Sequence, residues 1–476
     1  MPHDITLVTG ELYFDHPLCG VAILKRLLEK HRYTVNVVEQ PNESAIKNLA
    51  KPNLFFGVTS GSIDSMLRNY TPLKKPRKDD PNLDYTETVP DRATIVYSNW
   101  VRKYFKDSII VLGGTEASLR RFVHYDYWDN KLRKPILLDS RAQILAYGFA
   151  EKQILEIAAK IKKHQALVSI PGTCIITKEK PAAPELPSYA EVLASKEKFC
   201  EMQNMLSNDA LCQKVDNRYV IQYKAPPYTS QDLDEYYELP FTRATPLKLR
   251  GFEFSVVTHR GCTGNCNFCS VRLMQSAVVS RSEESILREI TAITKLPHFK
   301  GNIDDLTGPT ANMYGIDIGT SLLSLLRKAR VIPGVQYVYV KSGIRFDLAS
   351  PELIAELLKH HVFDTLRVAP EHINKYVLKL MNKSNDLDSL SKYPADKFSY
   401  YFMTAHPGST MQEAKELAEA VKKLKHAENV QVFTPTPMTV STCMYYTGLN
   451  PKTKEQVYVP YTYAEKKAQK RLIFDS

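Results

Sequence analysis

Two long blocks of this chain alternate short apolar runs with stretches of helical spacing, and that alternation limits the fold more than any other feature. In the first block the runs are DITLVT (Asp4 to Thr9), TVNVVEQ, NLFFGVTS, SIIVLGG (Ser108 to Gly114) and ILAYGF. Between the first two, GVAILKRLLEKHRY puts Val21, Leu24, Leu27 and Leu28 on one helical face. A helix with Ile154, Ile157 and Ile161 on one side closes the block. Such alternation predicts an α/β fold, here a doubly wound, Rossmann-like, mostly parallel sheet over residues 1–165.

From 166 to 250 the texture changes. KEKPAAPELPSY, KAPPYTSQ and LPFTRATPLK are rich in proline and polar residues, with one helical piece around Glu191 to Met205. This span is expected to be an ordered connector with little core of its own. At Gly251 the alternation resumes, through EFSVVTHRGC, GNIDDLTG, VQYVYVKSG, FDTLRVAPEH, YYFMTAHPG and VQVFTPTP. Ser280 and Glu283 stand at capping-box spacing ahead of a helix with Ile286, Ile290 and Ile293 on one face. Six strands with crossover helices predict a partial (β/α)6 barrel over 251–450, with its chemistry in the loops at the carboxyl ends of the strands. Those loops are RGCTGNCNFCS, TGPTAN, SGIRFD, APEH and HPGST. Between His372 and Tyr400 the sequence leaves room for only a reduced barrel helix. Residues 451–476, with Lys466, Lys467, Lys470 and Arg471, are expected to form a basic, solvated tail.

A length of 476 residues fits two domains better than one core. No apolar run reaches the roughly 18 residues of a membrane span. The N-terminus MPHDITLVTG has neither a basic start nor a small-residue cleavage site, so a cytoplasmic protein is expected. The net charge of +11 is compatible with an acidic partner such as RNA. Its local share at KKPRK (Lys74 to Lys78) reads as solvated surface.

Cysteine usage narrows the chemistry. Of eight cysteines, five are scattered and read as small buried hydrophobes. Cys262, Cys266 and Cys269 form a C-x3-C-x2-C array directly after the first barrel run. A structural zinc site wants four ligands, usually as two close pairs. Here the nearest other donors, His259 and His298, lie in a strand and at a helix end. Three thiolates on one loop instead suit a [4Fe–4S] cluster, holding three irons and leaving the fourth for a small molecule with an amine and a carboxylate. S-adenosylmethionine has both groups, and its sulfonium is open to reductive cleavage.

With Phe268 just before the third cysteine, the loop resembles the signature of the radical SAM superfamily. LVTGELYFDHPLCGVAILKRLLE, ASLRRFVHYDYWDNKLRKPILLDS, LTGPTANMYG, SGIRFD, APEH, AHPGST and STCMYYTGLNP extend the likeness over nearly the whole chain, to the YgiQ family. The resemblance implies a radical SAM enzyme that abstracts hydrogen from an unidentified substrate, with an electron donor such as flavodoxin or ferredoxin. It implies Cys262, Cys266 and Cys269 as cluster ligands and Phe268 packed beside the cluster. Gly308, Pro309 and Asn312 would meet the methionyl group of SAM, although Thr307–Gly308 stands where the family has a glycine pair. Ser342 and Arg345 would meet its carboxylate or ribose. Glu371, His372 and His406 are pocket candidates without assigned roles.

The first block also resembles a cobalamin-binding domain. The cobalamin signature D-x-H-x-x-G is not matched, because Asp15 and His16 are adjacent, and this spacing argues against cobalamin. Arg120 and Arg121, after SIIVLGG, read as a solvated helix face. Two other functions compete. One is radical SAM modification of tRNA or protein, with the basic surface for docking. The other is a non-catalytic iron–sulfur or zinc protein that binds nucleic acid.

Overall fold

The computed structural model describes residues 2–77, 89–245, 251–275, 277–384, 387–424 and 429–474. Lys78 of the first basic run and residues 246–250 of the expected connector lie outside them.

The first block folds as its alternation requires. Strands β1 (Ile5–Thr9), β2 (Val35–Glu39), β3 (Phe55–Thr59) and β4 (Ile109–Gly113) pair in parallel. A two-stranded ribbon of β5 (His124–Asp126) and β6 (Lys131–Arg133) follows, and then β7 (Ile144–Ala146), parallel to β4. The order β2-β1-β3-β4-β7 puts a topological switch point between β1 and β3. Ile5, Leu7, Val111 and Ile144 pack on one face with the helices Gly20–Lys30 and Glu151–Lys162. On the other face Val8, Phe56, Val58, Ile110 and Leu112 pack with the helix Ala93–Tyr104. Two covered faces explain why these strands are apolar runs and not alternating ones.

The expected connector is not one. Residues 173–222 add β8 (Thr173–Thr177), β9 (Glu185–Leu186), β10 (Leu211–Val215) and β11 (Arg218–Gln222) to the same sheet, in the order β8-β11-β10-β9 beyond β7. Most of these pairings are antiparallel. The helix Lys196–Met205 buries Phe199, Cys200 and Met202 in the shared core, so the span has a core after all.

Arg120 and Arg121 are also not solvated. Both are buried, Arg120 in an ion pair with Asp64, and Arg121 donating to Gln222 Oε1 (2.6 Å) while its guanidinium lies over the Tyr147 ring.

The second block is an incomplete barrel. Strand β12 (Ser255–Val257) is followed by the short antiparallel pair β13 (His259–Arg260) and β14 (Val279–Ser280), which closes the base of the cysteine loop. The second position is split into β15 (Asn302–Ile303) and β16 (Asp305–Thr307), the latter parallel to β12. Next come β17 (Tyr337–Val338), β18 (Leu366–Glu371), β19 (Phe398–Thr404) and β20 (Asn429–Val432). β17 is parallel to β15, a parallel bridge joins Ile344 to Val368, and β18-β19-β20 form one parallel sheet. Outer helices include Glu283–Ile293, Leu322–Ala329, Pro351–His360 and Met411–Val421. The first is capped by Ser282 and not by Ser280, whose backbone N–H donates to Asp317 (2.8 Å). The expected short helix is Lys375–Met381, followed by 3-10 turns at Leu387–Leu390 and Ala395–Lys397.

The basic tail is likewise built in. The helix Tyr463–Phe474 packs on Met411–Val421, and Lys466 is buried, donating to the Tyr127 and Tyr445 hydroxyls (2.9 and 2.7 Å). Among the described residues no helix is long and apolar enough to cross a membrane.

Two cationic ties join the blocks. Arg243 donates to the carbonyls of Glu253 (3.1 Å) and Ser255 (3.0 Å), contacts His16 Nε2 (3.1 Å) and pairs with Glu289. Arg260 pairs with Glu151 across the junction (2.8 Å).

Removing one partner of a buried ion pair strands the other charge, at a cost of about 3–5 kcal/mol. Asp64→Ala is therefore expected to lower unfolding free energy by about that much, read from urea or guanidinium denaturation.

Candidate functional site

The cysteine loop leaves the barrel at Arg260 and is tied down at its far side by the end of the helix Lys375–Met381. The N–H of Asn267 donates to the Met381 carbonyl (2.8 Å), its side-chain amide to the Leu380 carbonyl (2.8 Å), and Asn382 Nδ2 to the Asn265 carbonyl (2.8 Å). The Leu380 and Met381 carbonyls belong to the last turn, where a helix has no acceptor-filling partners of its own. Phe268 anchors the loop by packing against Val377, Leu378, Met381 and Met403, with its ring edge-on to His406.

Cys262, Cys266 and Cys269 are partly exposed. The sulfurs of Cys262 and Cys266 lie 3.3 and 3.6 Å from where a Cβ on Gly264 would sit, and Arg345 Nη1 lies 2.7 Å from it. Glycine at 264 thus leaves room for the guanidinium to come up against the loop. Burial pushes the Cys269 thiol up to about 11 and also raises Cys266, which the Lys383 and Arg345 charges partly offset. As they stand, no three His, Cys, Asp or Glu side chains among the described residues are gathered to hold an ion. A metal would draw the three sulfurs together and displace their protons.

The loops of the second to fourth strand positions surround this one. Thr307 Oγ1 and Ser342 Oγ are hydrogen-bonded at 2.9 Å. A Cβ on Gly308 would fall 2.0 Å from His259 Cε1, so only glycine lets that ring lie over the end of β16. Asn312 is tied to the backbone of Arg345. Its amide donates to the Arg345 carbonyl and accepts from the Arg345 N–H, each at 2.9 Å. Arg345 Nε and Nη2 grip Asp347 (2.8 and 2.6 Å), leaving Nη1 toward the cysteines.

The three pocket candidates separate. Glu371 ends β18 in the left-handed region (φ 67°), a strained place for its side chain, and its Oε1 lies 3.2 Å from Lys383 Nζ. Burial raises its pKa against the pull of Lys383. Both histidines are fully buried. His406 contacts the Pro407 carbonyl through Nδ1 (2.8 Å) and Ser441 Oγ through Nε2 (2.7 Å), and His372 Nδ1 accepts from the Asn374 N–H (3.0 Å). Burial holds them near 3 and 4.

Behind the loop, between the sheet and the barrel, is a cavity of about 550 Å³, within the range of ligand sites. It lies where the carboxyl ends of β1, β3, β4 and β7 face β13, β16 and the helix Val271–Met274. Its floor includes Gly113 at the end of β4. A Cβ there would meet nothing closer than 3.8 Å, so the missing side chain serves to keep the floor low. On the barrel side His259, Arg260 and Gln275 line it, and His259 Nε2, Arg260 Nη1 and Gln275 Oε1 are buried without hydrogen-bond partners. Sequence reading passed over this wall, since HR inside an apolar run looks like ordinary strand.

Six buried imidazoles have depressed pKa values, about 3 for His16, His124 and His406, about 4 for His259 and His372, and lowered also for His361, each chiefly through burial. Their stabilising effect is complete above the unfolded value near 6.5 and is lost as pH falls toward 4. Unfolding free energy is expected to drop steeply between about pH 6.5 and 4, and His406→Gln to reduce that slope by about one proton in pH-dependent denaturation.

Comparison with known proteins fits this geometry. Residues 2–252 match the Radical SAM N-terminal family, 256–421 the Radical SAM superfamily, and 428–474 a domain of unknown function, DUF3362. UPF0313 protein MJ1155 of Methanocaldococcus jannaschii is 44% identical over 98% of this chain and 89% of its own. A UPF0313 protein of Thermotoga neapolitana is 40% identical over 96% and 93%. Among solved structures, the radical S-adenosylmethionine methyltransferase TsrM from Kitasatospora setae, with cobalamin and a [4Fe–4S] cluster bound, superposes with a TM-score of 0.59 at 14% identity, covering 94% of this chain and 76% of TsrM. The cobalamin-dependent radical enzyme OxsB, with aqua-cobalamin bound, gives 0.53 at 12%, covering 100% and 56%.

These likenesses overturn the argument against cobalamin from the spacing of Asp15 and His16. The N-terminal fold is shared with proteins solved with cobalamin, so the missing motif is no ground for setting that cofactor aside. His16 here is a structural hub, its Nε2 against the Glu253 carbonyl (3.0 Å) and its Nδ1 accepting from the Leu18 N–H (3.0 Å). Strand-end loops around a cysteine triplet, a full-length family match and a shared two-domain fold converge: the chain belongs to the UPF0313, or YgiQ, family and is a radical SAM enzyme.

Proposed function

We propose that the chain holds a [4Fe–4S] cluster on Cys262, Cys266 and Cys269, binds S-adenosylmethionine beside it and abstracts hydrogen from its substrate. The observation that carries this reading is the cysteine loop at the end of the first barrel strand, ringed by Gly308, Ser342, Arg345 and Glu371 from the next three strand ends. When bound, the cluster supplies the electron for reductive cleavage of the sulfonium, and a flavodoxin- or ferredoxin-type carrier is the partner that such chemistry calls for. The chain's own residues supply charge and position. Arg345 and Lys383 offset the negative charge of thiolate-ligated iron. Asn312 and Asp347 fix where Arg345 points. Gly308, Pro309 and Ser342 form the wall for the methionyl end, and Glu371 is the carboxylate nearest the reacting region.

Protein reconstituted anaerobically with iron and sulfide, then given dithionite and S-adenosylmethionine, is expected to form 5′-deoxyadenosine, detected by liquid chromatography. Cys266→Ala should lose both the cluster absorbance and this product. Stoichiometric zinc without iron or sulfide after anaerobic purification would refute the assignment.

The cavity supports a second cofactor. Its place at the switch point of the sheet, its low floor at Gly113 and the cobalamin in TsrM and OxsB favour a corrinoid there. When bound, a corrinoid supplies cobalt-centred methyl or radical chemistry. Neither nitrogen of His16 is free to ligate cobalt, so the sheet would cradle the ring without that residue. Desalted protein incubated with hydroxocobalamin should retain about one equivalent by absorbance, and retention of none would remove this reading.

A further inference from the structure

The strands of the incomplete barrel have two unequal faces. Side chains alternate along extended chain, and Val338, Val340, Leu366, Val368, Tyr400 and Val430 pack outward in one core with the barrel helices. The alternate residues Tyr337, Tyr339, Lys341, Arg367, Tyr401 and Gln431 therefore point inward. In a closed barrel that face is a packed core. Here Tyr337, Lys341, Arg367 and Gln431 are exposed, and Tyr339 and Tyr401 are half-buried. The inner face is thus an open trough. Its carboxyl end is covered, because Met403 packs with Phe268, and Val257 with Ile23 and Leu27 of the first block. The trough runs from its open amino end toward the cysteine loop.

Its surface is aromatic and cationic. The Tyr337 and Tyr339 rings lie parallel (5.9 Å, 9°), and Phe363, which is 89% exposed, stands edge-on to Tyr339 (6.2 Å). An aromatic surface left open in this way marks an interaction site. Arg367 Nη1 donates to the Lys341 carbonyl (3.1 Å), which sets the two cationic residues side by side. The nearby acids are engaged. Asp304 Oδ2 accepts the Phe254 N–H (2.9 Å), Asp305 Oδ1 the Lys341 N–H (2.7 Å), and Glu371 pairs with Lys383 (3.2 Å). Exposed charge on the inward strand positions is positive, as is the net charge of +11. Tyr337 is five residues from Ser342, which bonds Thr307 beside the cysteine loop, so the two ends stand about 16 Å apart at about 3.3 Å per residue. An extended polymer covers that span, and a small metabolite does not. Aromatic platforms along a cationic track are how single-stranded nucleic acid is held.

We propose that the trough binds a single-stranded stretch of nucleic acid, with bases stacked at Tyr337 and Tyr339 and phosphates at Lys341 and Arg367. That this strand is also the substrate rests on the radical SAM reading above, and the strand then presents a nucleoside to the reacting region.

Fluorescence anisotropy of the anaerobically reconstituted full chain, with a fluorescein-labelled twelve-nucleotide RNA of mixed sequence, tests the site. Wild type is expected to bind. Tyr337→Ala should weaken binding at least fivefold and Tyr337→Phe less than twofold, because the ring and not the hydroxyl stacks. Tyr337 is 53% exposed, so its truncation leaves the fold intact, which equal melting temperatures check. Lys341→Ala and Arg367→Ala should each lower the slope of log affinity against log salt by about 0.7. An abasic strand of equal length should bind at least fivefold more weakly than the RNA and be indifferent to Tyr337→Ala. Absence of RNA binding by wild type, or unchanged RNA affinity in Tyr337→Ala, would overturn the proposal. So would tighter binding of a labelled twelve-residue acidic peptide, which would give the trough to a protein. Binding needs no cleavage of S-adenosylmethionine, so 5′-deoxyadenosine formed without RNA binding would overturn this site alone. RNA binding without 5′-deoxyadenosine would uphold the site and overturn the proposed activity.

Discussion

The buried pair between Arg260 and Glu151 holds together the two halves on which any chemistry here depends. Glu151 begins the helix after β7, and Arg260 is the last strand residue before the cysteine loop. Burial opposes the guanidinium charge, but the Glu151 carboxylate and the Tyr237 hydroxyl outweigh it and raise its pKa. The guanidinium also lies over the Phe149 and Tyr237 rings, so it is enclosed on several sides. A charge so enclosed tolerates little displacement, and the register of sheet against barrel is set within a few ångströms of the loop. Arg243 repeats the device on the other flank, reaching His16 in one block and Glu289 in the other.

The site's geometry rests on hydrogen bonds between its loops. Asn312 holds Arg345, Asp347 orients its guanidinium, and Asn267 ties the cysteine loop to a helix end. Gly308 makes space for the His259 ring, which in turn faces the cavity. The cysteine loop and the cavity thus share one supporting strand, and neither wall can be redrawn without moving the other.

What could be read in the sequence follows from range. The parallel sheet, the barrel and the cysteine loop rest on local apolar runs and on spacing within one loop, and these were legible. The strands at 173–222 were masked by flanking prolines, although Asp216–Asn217 between LCQKV and RYVIQ is a two-residue hairpin turn, with Asp216 at φ 54°. Burial of Arg120 and Arg121 was not legible, because Asp64 and Gln222 lie 56 and 101 residues away. The same holds for His406, whose partner Ser441 comes 35 residues later on another element. An isolated histidine at a strand end can be either a pocket group or a structural hydrogen-bonder, and only its partners decide.

The helix Tyr463–Phe474 has a consequence for how the molecule is made. Lys466 reaches the hydroxyl of Tyr127, 339 positions earlier, and does so from inside the core. The first block therefore lacks one of its interior groups until nearly all the rest has been synthesised. Contacts of such separation form late and slowly, and the nascent N-terminal block must wait with Tyr127 uncovered. Assembly of this protein is thus closed from its far end, like a clasp fastened after both halves are in place.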